Sequence, residues 1–259
     1  MGAGLAGSFA RRRDLDPGIS RRDAGQGRSR RAPRARKASG SVIDSVVVFG
    51  AGRLARCILD TAEATGIAIW GLVDRNPPSG AMVHGLPVIR EEDMLSGALG
   101  RPSGILVGIG DNWKRAQAVE QVRQCMGDIP FPNLIHPRAY VARSAELGEG
   151  AIVLAGAVIH TEAQIGDHVA LWSNAVVEHN CRLSDFVTLA PGAILGGNVT
   201  VEQRSFIGVG ATVSHEVSIG PDVVVGNGAA VIGDLVGEAV YAGCPARELR
   251  KRRPGDPYL

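Results

Sequence analysis

An aliphatic residue occupies every sixth position through most of the second half of the chain, and seventeen consecutive repeats keep this register. The positions are Ile135, Val141, Leu147, Val153, Ile159, Ile165, Leu171, Val177, Leu183, Leu189, Leu195, Val201, Ile207, Val213, Ile219, Val225 and Val231. Four places after each of them the residue is usually small, as at Ala139 and Ala157, and otherwise valine. An α-helix cannot sustain a period of six, whereas a short strand followed by a tight corner can.

Three such hexads would complete one triangular coil, and successive coils would pair as parallel strands about 4.8 Å apart. The aliphatic residue would fill the interior, and its small partner would allow the sharp turn. An ordinary β-sandwich is the alternative, but its uneven strands would not hold one register for so long. The pattern predicts a parallel β-helix over residues 134–240.

The preceding segment has a different pattern, typical of alternating strands and helices. It predicts strands at 45–49, 68–73 and 105–109, a helix over 53–65 that ends at Gly66, and a helix over 112–126 capped by Asp111. Together these elements form a small Rossmann-like βαβαβ unit with a parallel sheet. The predicted fold class is therefore α/β plus all-β. The predicted domains are a disordered basic tail (1–43), a Rossmann-like sugar-nucleotide-binding domain (44–133), the β-helix (134–240) and a C-terminal segment (241–259).

Charge and composition narrow the functional classes. Residues 1–40 contain eleven Lys and Arg against three Asp, although the whole chain has a net charge of only +2. This basic segment has no aromatic residues beyond Phe9 and no helical apolar stripe, so we expect neither nucleic-acid binding nor membrane insertion. The four cysteines are far apart and form no metal-binding spacing. With no signal peptide or bilayer-spanning stretch in the sequence, a cytoplasmic location is expected.

Two glycine-rich loops follow strands of the α/β unit. Gly50-Ala51-Gly52-Arg53-Leu54-Ala55 fits the Gly-x-Gly-x-x-Ala pattern, in which backbone amides approach a pyrophosphate at a helix N-terminus. Asp74 ends the next strand, where a carboxylate can bind a ribose hydroxyl. The second loop, residues 108–112, opens at the same carboxyl edge. Arg115 follows within reach of an anion, and a solvated charge on the helix is the alternative. A tight turn without a ligand is the alternative for the first loop.

Histidines in the β-helix are the candidates for chemistry. His179 comes two places after an inward aliphatic residue and therefore near a corner, and a neutral imidazole there can act as a general base. His215 falls two coils later, about 10 Å away by the coil spacing. His160 and His168 occupy other hexad positions, so a three-histidine metal site would need ligands from neighbouring subunits. We therefore expect no metal.

Several short segments resemble the bacterial sugar O- and N-acetyltransferases, of the sialic acid O-acetyltransferase and UDP-amino-sugar N-acetyltransferase type. They are Val48-Phe49-Gly50-Ala51-Gly52, Asn133-Leu134-Ile135-His136-Pro137, His179-Asn180-Cys181, Asp185-Phe186, Ala190-Pro191-Gly192, Gly197-Asn198-Val199 and Gly243-Cys244-Pro245-Ala246. The resemblance extends over residues 44–250. These segments are more specific than the hexad alone, which many acyltransferases share.

The resemblance implies a left-handed β-helix in a homotrimer, with acetyl-CoA in the groove between adjacent subunits and a sugar or nucleotide sugar on the α/β domain. It implies that His179 is the catalytic base, and that the backbone amide of Gly197 holds the oxyanion. The positions matching the acetyl-CoA groove are Thr188, Gly197, Val209 and Asn227. The positions matching the nucleotide site are Gly52, Arg53, Leu54, Asp74, Arg75 and Gly110. The implied function is acetyl transfer to an amino or hydroxyl group in glycan or polysaccharide biosynthesis.

Two positions depart from the family pattern. Asn180 stands where an acidic residue usually follows the base, and an amide cannot stabilise imidazolium as a carboxylate does. Thr188 replaces what is often a second histidine. Either Glu178 or Asp185 then orients His179, or the acceptor differs, or the enzyme is slow.

Two alternatives from other classes remain open. One is a metalloenzyme similar to γ-carbonic anhydrase, which shares the repeat and uses histidines at subunit interfaces. The other is a non-catalytic nucleotide-sugar-binding protein, for which Asn180 in place of an acid is the argument. The sequence does not decide between N- and O-acetylation.

Overall fold

The computed structural model describes residues 45–256 and residue 258 of the chain. The first part is an α/β unit. Its elements are β1 (Val46–Phe49), α1 (Arg53–Thr65), β2 (Ile69–Asp74), β3 (Met82–Val83), β4 (Leu86–Arg90), α2 (Glu91–Leu95), β5 (Gly104–Val107) and α3 (Asn112–Met126). The predicted tail 1–43 lies outside the described residues.

The sheet of the α/β unit has the strand order β3-β4-β2-β1-β5. Strand β1 pairs in parallel with β2 and β5, and β4 pairs in parallel with β2. Strand β3 runs antiparallel to β4 at the edge. Since β1, β2 and β5 are parallel, their carboxyl ends meet at one edge of the sheet.

Both long helices have the predicted bounds, and local chemistry explains their ends. Helix α1 stops because Gly66 adopts a left-handed conformation, with φ of 73°, and its N–H bonds back to carbonyls of the last turn. Helix α3 begins where the Asp111 side chain accepts a hydrogen bond of 2.9 Å from the Lys114 N–H. The N-cap of α1 is Gly52, which supplies no side-chain cap.

The second part consists of seventeen two-residue strands, each separated from the next by a corner. They are β6 (Leu134–Ile135), β7 (Tyr140–Val141), β8 (Glu146–Leu147), β9 (Ile152–Val153), β10 (Val158–Ile159), β11 (Gln164–Ile165), β12 (Ala170–Leu171), β13 (Val176–Val177), β14 (Arg182–Leu183), β15 (Thr188–Leu189), β16 (Ile194–Leu195), β17 (Thr200–Val201), β18 (Phe206–Ile207), β19 (Thr212–Val213), β20 (Ser218–Ile219), β21 (Val224–Val225) and β22 (Ala230–Val231). From β6 to β19, each strand pairs in parallel with the strand eighteen residues later, so three hexads form one coil.

The coils stack into a prism with three faces. The covered face is formed by β6, β9, β12, β15, β18 and β21 and continues into β23 (Ala239–Ala242) and β24 (Arg247–Lys251). The apolar face is formed by β7, β10, β13, β16, β19 and β22, and the polar face by β8, β11, β14, β17 and β20. The predicted aliphatic and small positions fill the interior, and most of them are buried. The sequence-based fold class is confirmed.

The C-terminal strands depart from the hexad register. Strand β23 pairs with β21 at a spacing of sixteen residues instead of eighteen, and β24 folds back antiparallel to β23. The predicted domain boundary at residue 240 falls inside β23. The other domain boundaries stay predictions.

Candidate active site

A cavity of about 1100 Å³ opens at the carboxyl edge of the α/β sheet. All six residues predicted to face a nucleotide border it, namely Gly52, Arg53, Leu54, Asp74, Arg75 and Gly110. Both glycine-rich loops contribute to its wall. The structure therefore brings this predicted set together in one place. Leu54 contributes its backbone, because its side chain is only 2% exposed and packs in the core.

The glycines of the two loops have different roles. Gly50 has φ of +112°, and a Cβ there would lie 2.9 Å from Cγ1 of Ile109. Gly108 is equally constrained, because its Cβ would lie 2.8 Å from the Ala55 side chain. Gly52 and Gly110 have no atoms within 4 Å of a built Cβ. Gly50 and Gly108 are therefore required for packing, whereas Gly52 and Gly110 leave their backbone exposed to a ligand in the cavity.

The N-terminus of α1 is the end suited to an anion. Its N-cap Gly52 provides no side-chain acceptor, so the first N–H groups of the helix remain directed at the cavity. Arg53 is exposed beside it. The N-terminus of α3 is already satisfied, since Asp111 caps it and the Tyr258 hydroxyl bonds to the Asn112 N–H. A phosphate group would therefore bind at α1.

Aromatic residues close the opposite wall of the cavity, and sequence reasoning missed them. Trp172 and Phe206 come from the β-helix, and Tyr258 comes from the C-terminal segment. The Tyr258 ring stacks on Phe206 with centroids 4.6 Å apart. Burial raises the pKa of the Tyr258 phenol above its ordinary value, so the hydroxyl stays protonated. In the sequence, only the size of the Trp172 and Phe206 side chains, at positions where many other hexads have smaller residues, could have indicated this wall.

Arg115 does not reach an anion in the cavity, contrary to the sequence-based expectation. It is 1% exposed, and its guanidinium donates to the carbonyls of Ile109, His168 and Phe186 and to the side chains of Asn112 and Thr188. Burial lowers its pKa to about 10, which still leaves it charged at neutral pH. Arg115 therefore joins α3 to the covered face of the β-helix.

Thr188 is misassigned to the acetyl-CoA groove. Its side chain is fully buried beneath α3, where its hydroxyl donates a hydrogen bond of 2.6 Å to Oδ1 of Asn112 and accepts one from Arg115. No surface of the hydroxyl is left for a cofactor. The residue stabilises the contact between the α/β unit and the β-helix.

His179 lies exposed at the corner between the apolar and polar faces, called here the His179 corner. Its Nδ1 lies 2.9 Å from Oδ1 of Asn180. The Asn180 amide in turn donates a hydrogen bond of 2.7 Å to Oε2 of Glu162. Neither acid proposed to orient the ring does so. Glu178 contacts His179 only at its backbone N–H, at 3.4 Å, and Asp185 accepts from the Asp167 N–H. The sequence missed Glu162, although it precedes Asn180 by one eighteen-residue coil.

Gly197 lies next to His179, one coil further along the same corner. A Cβ on Gly197 would approach the imidazole Nε2 to 2.5 Å, so only glycine leaves room for the ring. Among the described residues, the Gly197 N–H makes no hydrogen bond. This places an available donor beside Nε2 of His179, as an oxyanion donor would require.

Val209 and Asn227 lie at a different corner, between the covered and apolar faces, called here the Asn227 corner. The Asn227 side chain accepts a hydrogen bond of 2.9 Å from the Val209 N–H. The apolar face separates this corner from His179. One chain alone therefore does not bring the predicted base and these two predicted cofactor residues together.

The remaining histidines do not converge. His160 lies 3.7 Å from Glu178, and His168 is buried between Phe131 and Phe186. Within residues 45–256 and 258, no three His, Cys, Asp or Glu side chains form a group that could hold a metal ion. In the same part of the chain, no helix is both long and apolar enough to cross a bilayer.

Comparisons with known proteins agree with this architecture. The sequence model of the PglD N-terminal domain family matches residues 45–122. A variant of perosamine N-acetyltransferase from Caulobacter crescentus, solved with CoA and GDP-perosamine, is 34% identical, with a TM-score of 0.76 over 81% of this chain and 99% of that chain. The acetyltransferase domain of PglB from Neisseria gonorrhoeae FA1090, solved with acetyl coenzyme A, is 33% identical, with a TM-score of 0.74 over 80% and 99%.

WeeI from Acinetobacter baumannii AYE shares the fold, at 22% identity and a TM-score of 0.72 over 79% of this chain and 99% of that one. No curated protein matches the chain. A parallel α/β unit with a large cavity, joined to a β-helix built on hexads, defines a hexapeptide-repeat acyltransferase. The chain belongs to the bacterial sugar acetyltransferase family. This places it among acyltransferases and not among carbonic-anhydrase-like metalloenzymes or non-catalytic binding proteins.

Proposed function

We propose that this enzyme transfers the acetyl group of acetyl-CoA to an amino group of a nucleotide-linked sugar in glycan or polysaccharide biosynthesis. The observation that carries the proposal is the cavity at the carboxyl edge of the α/β sheet, where the uncapped N-terminus of α1 meets the six predicted residues. A nucleoside diphosphate fits this arrangement, with its phosphates at α1. The Caulobacter relative was solved with GDP-perosamine, an amino sugar, which favours N-acetylation over O-acetylation.

The chemistry requires a base and an oxyanion donor. Acetyl-CoA supplies the thioester. Nε2 of His179 takes the proton that the sugar amine loses as its nitrogen bonds to the acetyl carbon, and the same proton then passes to the departing thiolate. The Gly197 N–H donates to the thioester oxygen, on which negative charge develops. The products are the N-acetylated sugar nucleotide and CoA.

We propose a homotrimer, as the family resemblance implies, and the distribution of surfaces on the prism supports contact between copies. The covered face packs against the α/β unit, and the polar face carries Glu146, Gln164 and Arg182. The apolar face directs Tyr140, Val158, Val176, Ile194, Thr212 and Ala230 outward, and Tyr140 and Ile194 are 56% and 42% exposed within the described part of the chain. An exposed apolar surface of this kind indicates contact with another copy.

Three prisms that turn their apolar faces toward one axis place the His179 corner of one copy beside the Asn227 corner of the next. Acetyl-CoA would lie in the groove between these corners, contacting Gly197 from one copy and Val209 and Asn227 from the other. Trp172, which borders the nucleotide cavity, also lies at the Asn227 corner. The acceptor amine bound by one copy would therefore face His179 of its neighbour. Acetyl-CoA and nucleotide sugars are cytoplasmic metabolites, which agrees with the expected location.

An acetylation assay tests the proposal. The purified enzyme is incubated with acetyl-CoA and either GDP-perosamine or UDP-linked amino sugars, with GDP-mannose as a control that has hydroxyls but no amine. We expect a gain of one acetyl group by mass spectrometry with the amino sugars only. His179→Ala should lower kcat by about 100-fold or more, whereas His84→Ala, an exposed histidine of the β3–β4 turn, should not.

Two results would contradict the proposal. Acetylation of GDP-mannose alone would make the enzyme an O-acetyltransferase. An unchanged rate in the His179→Ala variant would remove this residue from the mechanism.

A further inference from the structure

A chain of two hydrogen bonds links His179 to a carboxylate one coil away. Nδ1 of His179 lies 2.9 Å from Oδ1 of Asn180, and Nδ2 of Asn180 donates to Oε2 of Glu162 at 2.7 Å. Glu162 and Asn180 occupy equivalent corner positions, with φ of 58° and 59°. Stacking of the coils therefore places the two side chains directly above one another.

We propose that Glu162 is a positioning residue for the base, acting through Asn180. This inference rests on the proposed function of His179. A carboxylate only accepts hydrogen bonds, so Glu162 requires the NH₂ group of Asn180 to face it. The Asn180 oxygen then faces the imidazole and accepts from Nδ1–H. This fixes the ring tautomer in which Nε2 carries the lone pair and can accept a proton.

The same arrangement accounts for an amide at the position where the family usually has an acid. If Asn180 were an aspartate, two carboxylates would stand about 3 Å apart and would repel each other. Asn180 and Glu162 together supply what one adjacent acid supplies elsewhere: an acceptor for Nδ1–H and a negative charge behind it. The charge is more distant, so it stabilises imidazolium less than direct contact would.

Other charged groups surround the hydrogen bonds between His179, Asn180 and Glu162, and they provide the control variants. Those on the neighbouring strands and corners are Arg143, Glu146, His160, Glu178, Arg182, His215 and Glu216. His160 pairs with Glu178 at 3.7 Å, and Arg182 donates to Gln164 at 3.1 Å. Glu146 is exposed and makes no hydrogen bond to His179, Asn180 or Glu162 within the described structure. It is therefore a matched control for removing one carboxylate from the same surface.

The first experiment compares Glu162→Gln with Glu146→Gln in the acetylation assay. A glutamine at 162 can donate as well as accept, so Asn180 is no longer held in one orientation and the other imidazole tautomer becomes accessible. We expect kcat of Glu162→Gln to fall about tenfold with the KM for acetyl-CoA changed less than about twofold. The acidic limb of its pH–rate profile should move to lower pH, because imidazolium loses the nearby negative charge. Glu146→Gln should match wild type in all three.

The second experiment exchanges the two groups. Asn180→Asp alone brings two carboxylates together and should lower kcat, whereas Asn180→Asp combined with Glu162→Gln restores one acid and one amide in reversed order. We expect the double variant to recover to within about threefold of wild type, with an acidic limb at higher pH than that of wild type. Recovery of this kind is not expected if either substitution merely disturbs the corner.

The outcomes separate this inference from the proposed function. A wild-type enzyme that acetylates no amino sugar contradicts the function itself. An active wild type with an unaffected Glu162→Gln variant overturns the role of Glu162, and so does a double variant whose loss is the sum of the two single losses.

Discussion

At the scale of single residues, His168 makes stability depend on pH. Its ring stacks on Phe186 at 5.2 Å and meets the edge of Phe131 at 4.8 Å, and neither ring nitrogen has a partner among the described protein atoms. Burial, together with the charges of Arg123 and Arg115, lowers its pKa to about 3. The folded chain thus excludes a proton that the unfolded chain binds below a pH of about 6.5.

We therefore expect stability to be fully present above pH 6.5 and to fall as pH drops from there toward 3, by up to about 1.4 kcal/mol for each pH unit from this group. His168→Asn, which suits the φ of 55° at this position, should have a shallower decline in Tm between pH 7.5 and 5.5 at fixed chain concentration. His84→Asn is the matched control, because His84 is exposed and also has a positive φ of 48°. Equal slopes in wild type and His168→Asn would contradict the assignment.

The positions of candidate site residues were predicted from the sequence only where they depend on residues that are close together in the chain. The resemblance implied the set expected to face a nucleotide, and its members border one cavity because they lie in the glycine loops and at strand ends. Glu162 was missed because its contact with Asn180 depends on stacking of coils, a relation between residues eighteen apart that the resemblance does not contain. Thr188 was misassigned because its burial depends on where α3 packs, and no hexad pattern carries that information.

At the scale of elements, the loop between β1 and α1 contains one glycine required for packing, Gly50, and one that faces the cavity, Gly52. Gly52→Trp should keep the fold, because Gly52 has an unstrained backbone and open space around a built Cβ. The indole would occupy the cavity and cover the N-terminus of α1, so we expect the Kd for GDP-perosamine to rise more than about tenfold. Calorimetric titration measures the affinity, and a thermal scan measures the fold.

Gly50→Ala should instead destabilise the fold, because Gly50 is required for packing. Its φ of +112° and the contact with Ile109 predict a loss of about 1–3 kcal/mol of stability.

The control for the Gly52→Trp variant is Gly233→Trp, which adds an indole at an exposed glycine with open space far along the chain. Unchanged GDP-perosamine binding by Gly52→Trp would mean that the ligand does not approach this loop.

The elements differ in how well the sequence predicted them, for physical reasons. The β-helix strands were placed because one hexad repeats through the whole prism and each repeat reinforces the others. Helix α1 has a clear C-cap at Gly66 and helix α3 a clear N-cap at Asp111, and both helices were predicted with correct bounds. Strands β3 and β4 and helix α2 were missed because they are only two to five residues long, and such short elements are stabilised by the sheet edge they join more than by their own sequence.

At the scale of the whole molecule, the three faces of the prism have three separate roles. The covered face holds the α/β unit through Arg115 and Thr188, the polar face faces solvent, and the apolar face separates the His179 corner from the Asn227 corner. Within one chain the cavity borders the covered face, whereas the proposed base, His179, lies at the corner between the other two faces. The proposed reaction therefore requires that each active site be shared between two copies.

Shared sites predict that two inactive variants restore activity when they assemble together. His179→Ala keeps its nucleotide cavity, and Gly52→Trp keeps its base, so a mixed trimer of 27.0 kDa chains contains one cavity next to one intact histidine. A mixed trimer contains two copies of one variant and one of the other. In both cases only one of its three subunit interfaces pairs an intact cavity with an intact histidine. Co-expressed and doubly tagged trimers should therefore show about one third of wild-type kcat. At a nucleotide-sugar concentration far below the raised Kd of Gly52→Trp, each variant alone should stay near background, as should the two proteins mixed after separate purification if subunits do not exchange. Mixed trimers as inactive as their parents would place the whole active site within a single chain.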